Sequence, residues 1–445
     1  MWGYNANGQL GLGDTTNRSS PVQVGSGTDW TKISVNQSTL AIKGGNTLWG
    51  WGRNFSGEIG VGDTTARSSP VQVGSLTTWS DVVTGNTATQ AIKTDGTLWS
   101  WGVAFVSTDY IGPSAHGGGN ISSPVQVGAL TTWTSLGKGT ARYSAGHAII
   151  TTSNTLYAWG GSGHDRSGQT TTYLGGSESI CPTCVPYPAS VDGRYGANSP
   201  ISVVTSVSSV SSGTDHALFI KTNGTLWAWG SNLLGQINST NNNPLHYLAV
   251  DTTGMGICTY PTDAYHNGFI SRWENSPAPY SYYILYDSSF NCIITGDDTT
   301  MTTYTVSANT VKWGYSSPVQ IGSDTNWSTV SAGNGMSAAI KTTGTLWTWG
   351  INGSGQLAQS DLTNRSSPTQ VGSGTDWATI SCGDGYCLAV KTNGTLWAWG
   401  YNAYGQLGQG DTTGRSSPVQ IGSRTNWLST GISAGYFGTS AGIRN

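Results

Sequence analysis

The sequence predicts an all-β fold: a seven-bladed β-propeller of four-stranded blades, with the ring closed by N- and C-terminal strands that share one blade. Three observations carry this expectation. Seven Trp-Gly steps, at Trp2, Trp51, Trp101, Trp159, Trp229, Trp349 and Trp399, alternate with seven Pro markers, at Pro21, Pro70, Pro124, Pro200, Pro318, Pro368 and Pro418. A repeat of about fifty residues signals a solenoid, a propeller or an array. Within each unit apolar residues alternate between small turn residues, which is strand periodicity, and no stretch sustains helical periodicity. The chain also begins and ends inside a unit, so its termini supply complementary parts of one blade.

Each unit reads as four short strands. In the second, strand A runs from Trp79 to Thr84, strand B from Thr89 to Lys93 and strand C from Thr97 to Trp101, and strand D is the Ser-Pro-Val-Gln-Val segment. The Thr-Asp-Gly or Thr-Asn-Gly between B and C is a tight hairpin turn that needs Gly or Asn where φ is positive. Pro cannot donate a ladder hydrogen bond, which makes D the outer edge of its blade. At the termini, strand A at Trp427 to Ser433 and strand B at Phe437 to Ile443 await strand C at Trp2-Gly3 and strand D at Pro21 to Val24. Pairing them hides exposed sheet edges.

The unit Leu396-Trp397-Ala398-Trp399-Gly400-Tyr401-Asn402-Ala403-Tyr404-Gly405-Gln406-Leu407-Gly408-Gln409-Gly410-Asp411 resembles the repeat of the regulator of chromosome condensation (RCC1-like) superfamily. The resemblance spans residues 1–445 apart from two insertions and implies a single seven-bladed propeller of the bacterial or phage type. It implies no one function, since that scaffold is shared by nucleotide-exchange factors, a secreted β-lactamase inhibitor and bacterial and phage surface proteins. No residues match the exchange factor's catalytic wedge.

Composition narrows the setting. Charged residues are 9% of the chain, and 19 Lys and Arg stand against 22 Asp and Glu, for a net charge of −3. That balance gives no footprint for a polyanion and argues against nucleic acid as a partner. Much of the charge is periodic: Asp14 and Arg18, Asp63 and Arg67, Asp361 and Arg365, and Asp411 and Arg415 stand four apart before strand D. Recurring with the blade, they read as loop clamps rather than calcium ligands or catalytic groups. Lys43, Lys93, Lys221, Lys341 and Lys391 likewise close strand B. Eighteen of the 20 Trp fall on the repeat and read as blade packing; only Trp273 and Trp313 lie off it.

The six cysteines permit fifteen connectivities. Cys382 and Cys387 bracket an A–B hairpin where facing strand ends come within disulfide reach, and Cys258 and Cys292 both lie in the longest insertion. Cys181 and Cys184 could form a redox dithiol or half a zinc site, but neither the helix nor the second close pair that these need is visible, and a structural disulfide is preferred. Low charge, disulfides and a Thr-, Ser- and Asn-rich surface point to an extracellular location, on a virion or cell surface. No signal peptide or transmembrane run is evident, so no membrane insertion is expected.

Growth of the chain is confined to one connection. From a Pro marker to the next Trp-Gly the spacing is 29 to 31 residues in five units and 35 in the sixth. From Trp-Gly to the following Pro it is 19 in four units, but 23, 41 and 89 after Trp101, Trp159 and Trp229. All the extra length therefore lies between strands C and D. In an up-and-down blade the A–B and C–D connections share a face, so the insertions 161–197 and 231–315 should meet there as a cap, beside the 103–121 loop. Loops on a rigid scaffold are where recognition usually lives.

The cap carries Tyr260, Tyr265, Trp273, Tyr280, Tyr282, Tyr283 and Tyr286 with polar Asn267, Asn275, Arg272 and Glu274. Such a surface suits sugar stacking or a protein contact; equally, these aromatics could form a small core for the insertion itself. His116, His147, His164, His216, His246 and His266 show no metal-ligand spacing, and no nucleophile with its base can be assembled. A carboxylate pair in the cap, such as Asp263 and Glu274, is the remaining route to catalysis, by glycoside cleavage. The sequence thus points to a non-enzymatic recognition or structural propeller without metal or cofactor. The first setting is a phage virion appendage, such as a tail fibre, that binds a cell-surface glycan, a protein receptor or a partner structural subunit. The alternative is a secreted or cell-surface bacterial adhesin or protein inhibitor.

Overall fold

The computed structural model describes residues 1–103, 120–139, 149–160, 197–214, 216–232, 234–237, 256–257, 282–286, 292–296 and 314–445. The alternating apolar segments form strands, and consecutive strands pair antiparallel into six four-stranded blades, each ordered A, B, C, D. The second blade, for example, comprises Trp79–Thr84, Ala88–Lys93, Leu98–Gly102 and Ile121–Gln126. Strand D, with its proline, is the outermost strand of each blade. Strand A of one blade packs against strands A and B of the blade before it, which carries the contacts around the ring.

The termini meet, but not as a four-stranded blade. Trp2–Gly3 pairs with Thr439–Arg444, and that strand pairs with Trp427–Ala434, giving a three-stranded sheet. This sheet packs between the blade that begins at Trp377 and the blade that begins at Trp30. Among the described residues, six four-stranded blades and this three-stranded sheet therefore stand where seven four-stranded blades were expected from sequence. The segment assigned to the missing strand D is held by a single bridge between Gly3 and Arg18 and by a reciprocal pair between Met1 and Val22, the Val22 N–H donating to the Met1 carbonyl at 3.0 Å and the Met1 amino group to the Val22 carbonyl at 2.8 Å. A two-residue strand C is too short to template a full ladder beside it. A separate antiparallel sheet of Gly256–Ile257, Tyr282–Tyr286 and Cys292–Gly296 lies within the longest insertion.

Three recurrent interactions make the blades one body. The Trp-Gly tryptophans Trp2, Trp51, Trp101, Trp229, Trp349 and Trp399 are buried, and in five of them the indole N–H donates across the blade boundary to a carbonyl in the preceding unit's C–D loop. Trp51 reaches Gln9, Trp101 reaches Glu58, Trp349 reaches Gln236, Trp399 reaches Gln356 and Trp2 reaches Gln406, each at 2.9 Å. The last of these joins positions 404 residues apart and closes the ring.

Nearer the axis, a serine late in strand A accepts the backbone N–H of the next unit's strand A. Ser34 accepts from Thr84 at 3.0 Å, Ser211 from Ala332 at 2.9 Å, Ser331 from Cys382 at 2.8 Å, Ser381 from Ala434 at 3.0 Å and Ser433 from Val35 at 3.1 Å. Where Val83 stands in place of the serine, Asp81 Oδ2 accepts from Leu136 N–H at 3.2 Å instead.

On the opposite face, Lys43, Lys93, Lys341 and Lys391 lie against the indoles of strands A and C, as with Lys391 Nζ at 4.8 Å from both Trp377 and Trp397, and Lys221 lies against Trp227 of strand C. Their periodicity is thus a cation–π clamp, with an ion pair added from Asp376 at 3.0 Å. Here the B–C turn must come close to the next connection. Gly394 has φ +75°, and a Cβ on it would lie 2.1 Å from the Thr425 carbonyl oxygen, so only glycine fits.

Ser381→Ala should leave the buried Ala434 N–H without its acceptor at the ring closure. The expected loss is roughly 1–3 kcal/mol, read as a lower urea midpoint with an unchanged m-value.

Candidate recognition face

The C–D loop reads Gly-x-Asn-x-x-Gly-Gln/Glu-Leu/Ile in five described units, beginning at Gly3, Gly52, Gly230, Gly350 and Gly400. Two bonds recur in all five: the Asn Oδ1 accepts from the Leu or Ile N–H, and the Gln or Glu Oε accepts from the N–H two residues before it. In the last unit, Asn402 Oδ1 accepts from Leu407 N–H at 2.9 Å, while its Nδ2 donates to the carbonyls of Asp411 and Thr413 at 3.1 and 2.9 Å. Gln406 Oε1 accepts from Tyr404 N–H at 2.9 Å. Asp411 then pairs with Arg415 at 2.7 Å. The N–H of Thr413, and after it the Arg415 side chain, hold the Asp411 carboxyl below the usual range. The same pair occurs at Asp63–Arg67 and Asp361–Arg365, both at 2.6 Å, and at Asp14–Arg18, so the periodic charges are loop clamps.

The remaining loop positions are free to vary and are presented on one face. The A–B turns share that face: a Cβ on Gly385 would lie 3.5 Å from Tyr401 Cβ, and one on Gly438 would lie 3.2 Å from Tyr404 Cδ2. Phe55 is 60% exposed, Tyr401 40%, Tyr404 39% and Leu234 38%, and all four sit at variable loop positions. Arg53 lies 5.3 Å from the Phe55 ring and donates to the Asn86 carbonyl at 3.2 Å. The turn Gly383-Asp384-Gly385 presents Asp384, whose Oδ1 accepts from Asn334 Nδ2 at 2.8 Å.

One loop departs from the scaffold chemistry. Where the other four described loops place Gln, the second has Glu58, fully buried. Its Oε2 accepts from Ser56 N–H at 2.7 Å, but its Oε1 has only Arg53 Nε at 3.7 Å, beyond hydrogen-bond reach. Burial pushes the Glu58 carboxyl up, against the opposing pull of the Glu58 and Ser56 N–H groups and of Arg53.

The regular loop continues into the longest insertion before the chain diverges. Ile237 N–H donates to Asn232 Oδ1 at 2.9 Å, and the Gln236 carbonyl takes both Trp349 Nε1 and Ser337 Oγ. Of the expected site residues, Tyr260, Tyr265, Trp273, Tyr280, Cys181, Cys184 and Cys258 lie outside the described residues, as do Asp263, Glu274 and every histidine except His216. Tyr282, Tyr283 and Tyr286 fall on one strand, in register with Gly296, Thr295 and Cys292 respectively. Cys382 and Cys387 are directly opposite across the A–B hairpin and joined by a disulfide. His216 is buried, with Nε2 2.8 Å from Ser337 Oγ. Among the described residues no metal-binding group of His, Cys, Asp or Glu gathers, and no helix is long and apolar enough to cross a membrane.

The "Regulator of chromosome condensation (RCC1) repeat" matches the sequence in two forms, one at residues 1–41, 46–92, 343–390 and 393–441, the other at 207–236, 327–356 and 377–406. The chain belongs to the RCC1-repeat family. Three solved structures share the fold. Kap60 bound to yeast RCC1 (Prp20) matches with a TM-score of 0.68 at 14% identity, over 100% of this chain and 88% of that one. Prp20p from Saccharomyces cerevisiae, described with its binding properties to Gsp1p and histones, matches at 0.66 and 14%, over 100% and 91%. Human WBSCR16 matches at 0.65 and 14%, over 100% and 98%. No curated protein matches the chain by sequence.

Because its pKa is raised by folding, Glu58 contributes stability that is present at acid pH and is lost as pH rises through its folded-state value. Glu58→Gln, which installs the residue of the other four loops, should raise the thermal midpoint at neutral pH and remove the decline that sets in as pH rises above the ordinary carboxylate range. A lower neutral midpoint would mean that the Arg53 pair outweighs desolvation.

Proposed function

We propose that this RCC1-repeat propeller is a non-enzymatic recognition protein that works outside the reducing cytoplasm, on a virion or cell surface, and engages its target through the inserted C–D connections. The observation that carries the reading is the loop at Asn232–Ile237. It completes the latch to Trp349 before the insertion begins, so the following residues are surplus to the scaffold. Segments grown from a finished scaffold, and rich in Tyr with Asn and Ser, suit binding rather than chemistry. The extracellular setting is supported by the Cys382–Cys387 disulfide and by the low charge. A phage tail appendage meets these conditions, as does a bacterial adhesin or protein inhibitor. That RCC1 (Prp20) is seen bound to Kap60, a protein, fits a protein target as well as a glycan.

Replacing residues 238–313 with the short connection Ala358–Asn364 should leave a cooperatively folding propeller. Labelled parent protein is expected to bind bacterial cells or a glycan array, and the trimmed protein to lose that binding. Equal binding by both would overturn the role of the insertion, and no binding by the parent to either would overturn the surface-recognition reading. Separately, peptide mapping of the native protein without reductant should return the peptide containing Cys382 and Cys387 lighter by two hydrogens. Two free thiols would remove the support for an oxidising setting.

A further inference from the structure

The geometry points to a second contact surface, independent of the insertions: Tyr4, Tyr401 and Tyr404 form a receptor for an arginine side chain of a protein partner. The Tyr4 and Tyr404 ring centroids are 4.9 Å apart at 57°, and Tyr401 meets Tyr404 edge-on at 6.3 Å and 80°. Ring closure alone brings them together, because the two loops come from opposite ends of the chain.

These aromatics are not needed for folding. At the positions of Tyr401 and Tyr404, the neighbouring loop has Ile351 and Ser354, yet it makes the same scaffold bonds: Leu357 N–H to Asn352 Oδ1 at 2.9 Å and Ser354 N–H to Gln356 Oε1 at 2.8 Å. Two tyrosines about 40% exposed on a loop that folds as well without them mark a surface kept for binding. The patch is also preorganised. Tyr4 N–H donates to the Gly438 carbonyl at 3.0 Å, Tyr401 N–H to the Gly385 carbonyl at 2.8 Å and Tyr404 N–H to Gln406 Oε1 at 2.9 Å, so little backbone freedom remains to be lost on binding.

Charge selects the partner. The loop and turn segments around the patch, 3–8, 333–335, 351–356, 383–385, 401–406 and 435–438, contain Asp384 and no Lys, Arg or His. In the 53–58 loop the chain supplies its own guanidinium to an exposed aromatic, Arg53 at 5.3 Å from Phe55. The tyrosine loops have aromatic faces and Asp384 in the adjoining A–B turn, while their own guanidiniums, Arg18 and Arg415, are held by Asp14 and Asp411. A planar guanidinium can stack on the phenol rings while hydrogen-bonding to an acceptor beside them, a combination that an ammonium or a neutral sugar satisfies less well.

The test measures binding of the full chain to a hexa-arginine peptide and to its neutral hexa-citrulline counterpart by fluorescence anisotropy. The expected result is that the arginine peptide binds and that the double variant Tyr401→Ile, Tyr404→Ser weakens it about tenfold. Phe55→Ala should leave it unchanged. Since the double variant carries residues that already occupy these positions in the next loop, an unchanged melting temperature shows that it is folded. The protein trimmed at 238–313 should retain arginine binding, which separates this surface from the insertions. Equal affinity for citrulline, no binding of the arginine peptide, or loss of glycan-array binding rather than arginine binding in the double variant would each overturn the assignment.

Discussion

The indole N–H of five Trp-Gly tryptophans, Trp2, Trp51, Trp101, Trp349 and Trp399, donates to a carbonyl that belongs to the previous unit. This bond is made where water is excluded, and an unmet buried donor or acceptor is penalised more heavily than a met pair is rewarded. It therefore fixes position as much as it adds stability. The C–D loop must carry its Gln or Glu carbonyl to the same place in every unit, which is why it is held by Asn side-chain bonds and an Asp–Arg clamp. The serine links do the same at the axis. Together they turn separate sheets, each with an exposed edge, into a ring whose last joint lies between Gln406 and Trp2.

This constraint also decides where the chain can grow. Before the latch residue no length can be added without moving the carbonyl off its tryptophan. After it, the chain is obliged only to return to strand D. The Gln236 loop obeys that division, since the latch is complete at Ile237 and strand D resumes at Gly314. The face that receives such growth is the face of the A–B turns, where the variable loop residues and Asp384 are also displayed. A recognition protein can thus change its contacts without renegotiating its core.

The strands, their order and the shared loop face were legible because two-residue alternation and the Trp-Gly and Ser-Pro markers are local signals. The Asp–Arg clamps and the Cys382–Cys387 pair were legible for the same reason: each spans only four or five residues. What the sequence hid is non-local. The serine after Ile380 or Val330 looks like ordinary strand filler until the next unit's N–H is placed against it. Glu58 reads as a harmless variant of Gln until burial is known. Tyr4 and Tyr401 become neighbours only through ring closure. The closing blade was overcounted because Pro21–Val24 carries the strand-D motif, whereas its partner, Trp2–Gly3, is too short to hold it as a ladder.

The most direct measurement of the latch is hydrogen exchange at the indole N–H groups of the tryptophans, followed by NMR with indole-15N labelling. Trp2, Trp51, Trp101, Trp349 and Trp399 should exchange only through global opening, at a common rate that slows as stability rises. Trp49, Trp99, Trp347 and Trp397, half-buried and bonded only to a threonine hydroxyl of their own strand or turn, should exchange orders of magnitude faster. If the five latch indoles exchange as readily as these four, the bonds between units do not hold the ring together.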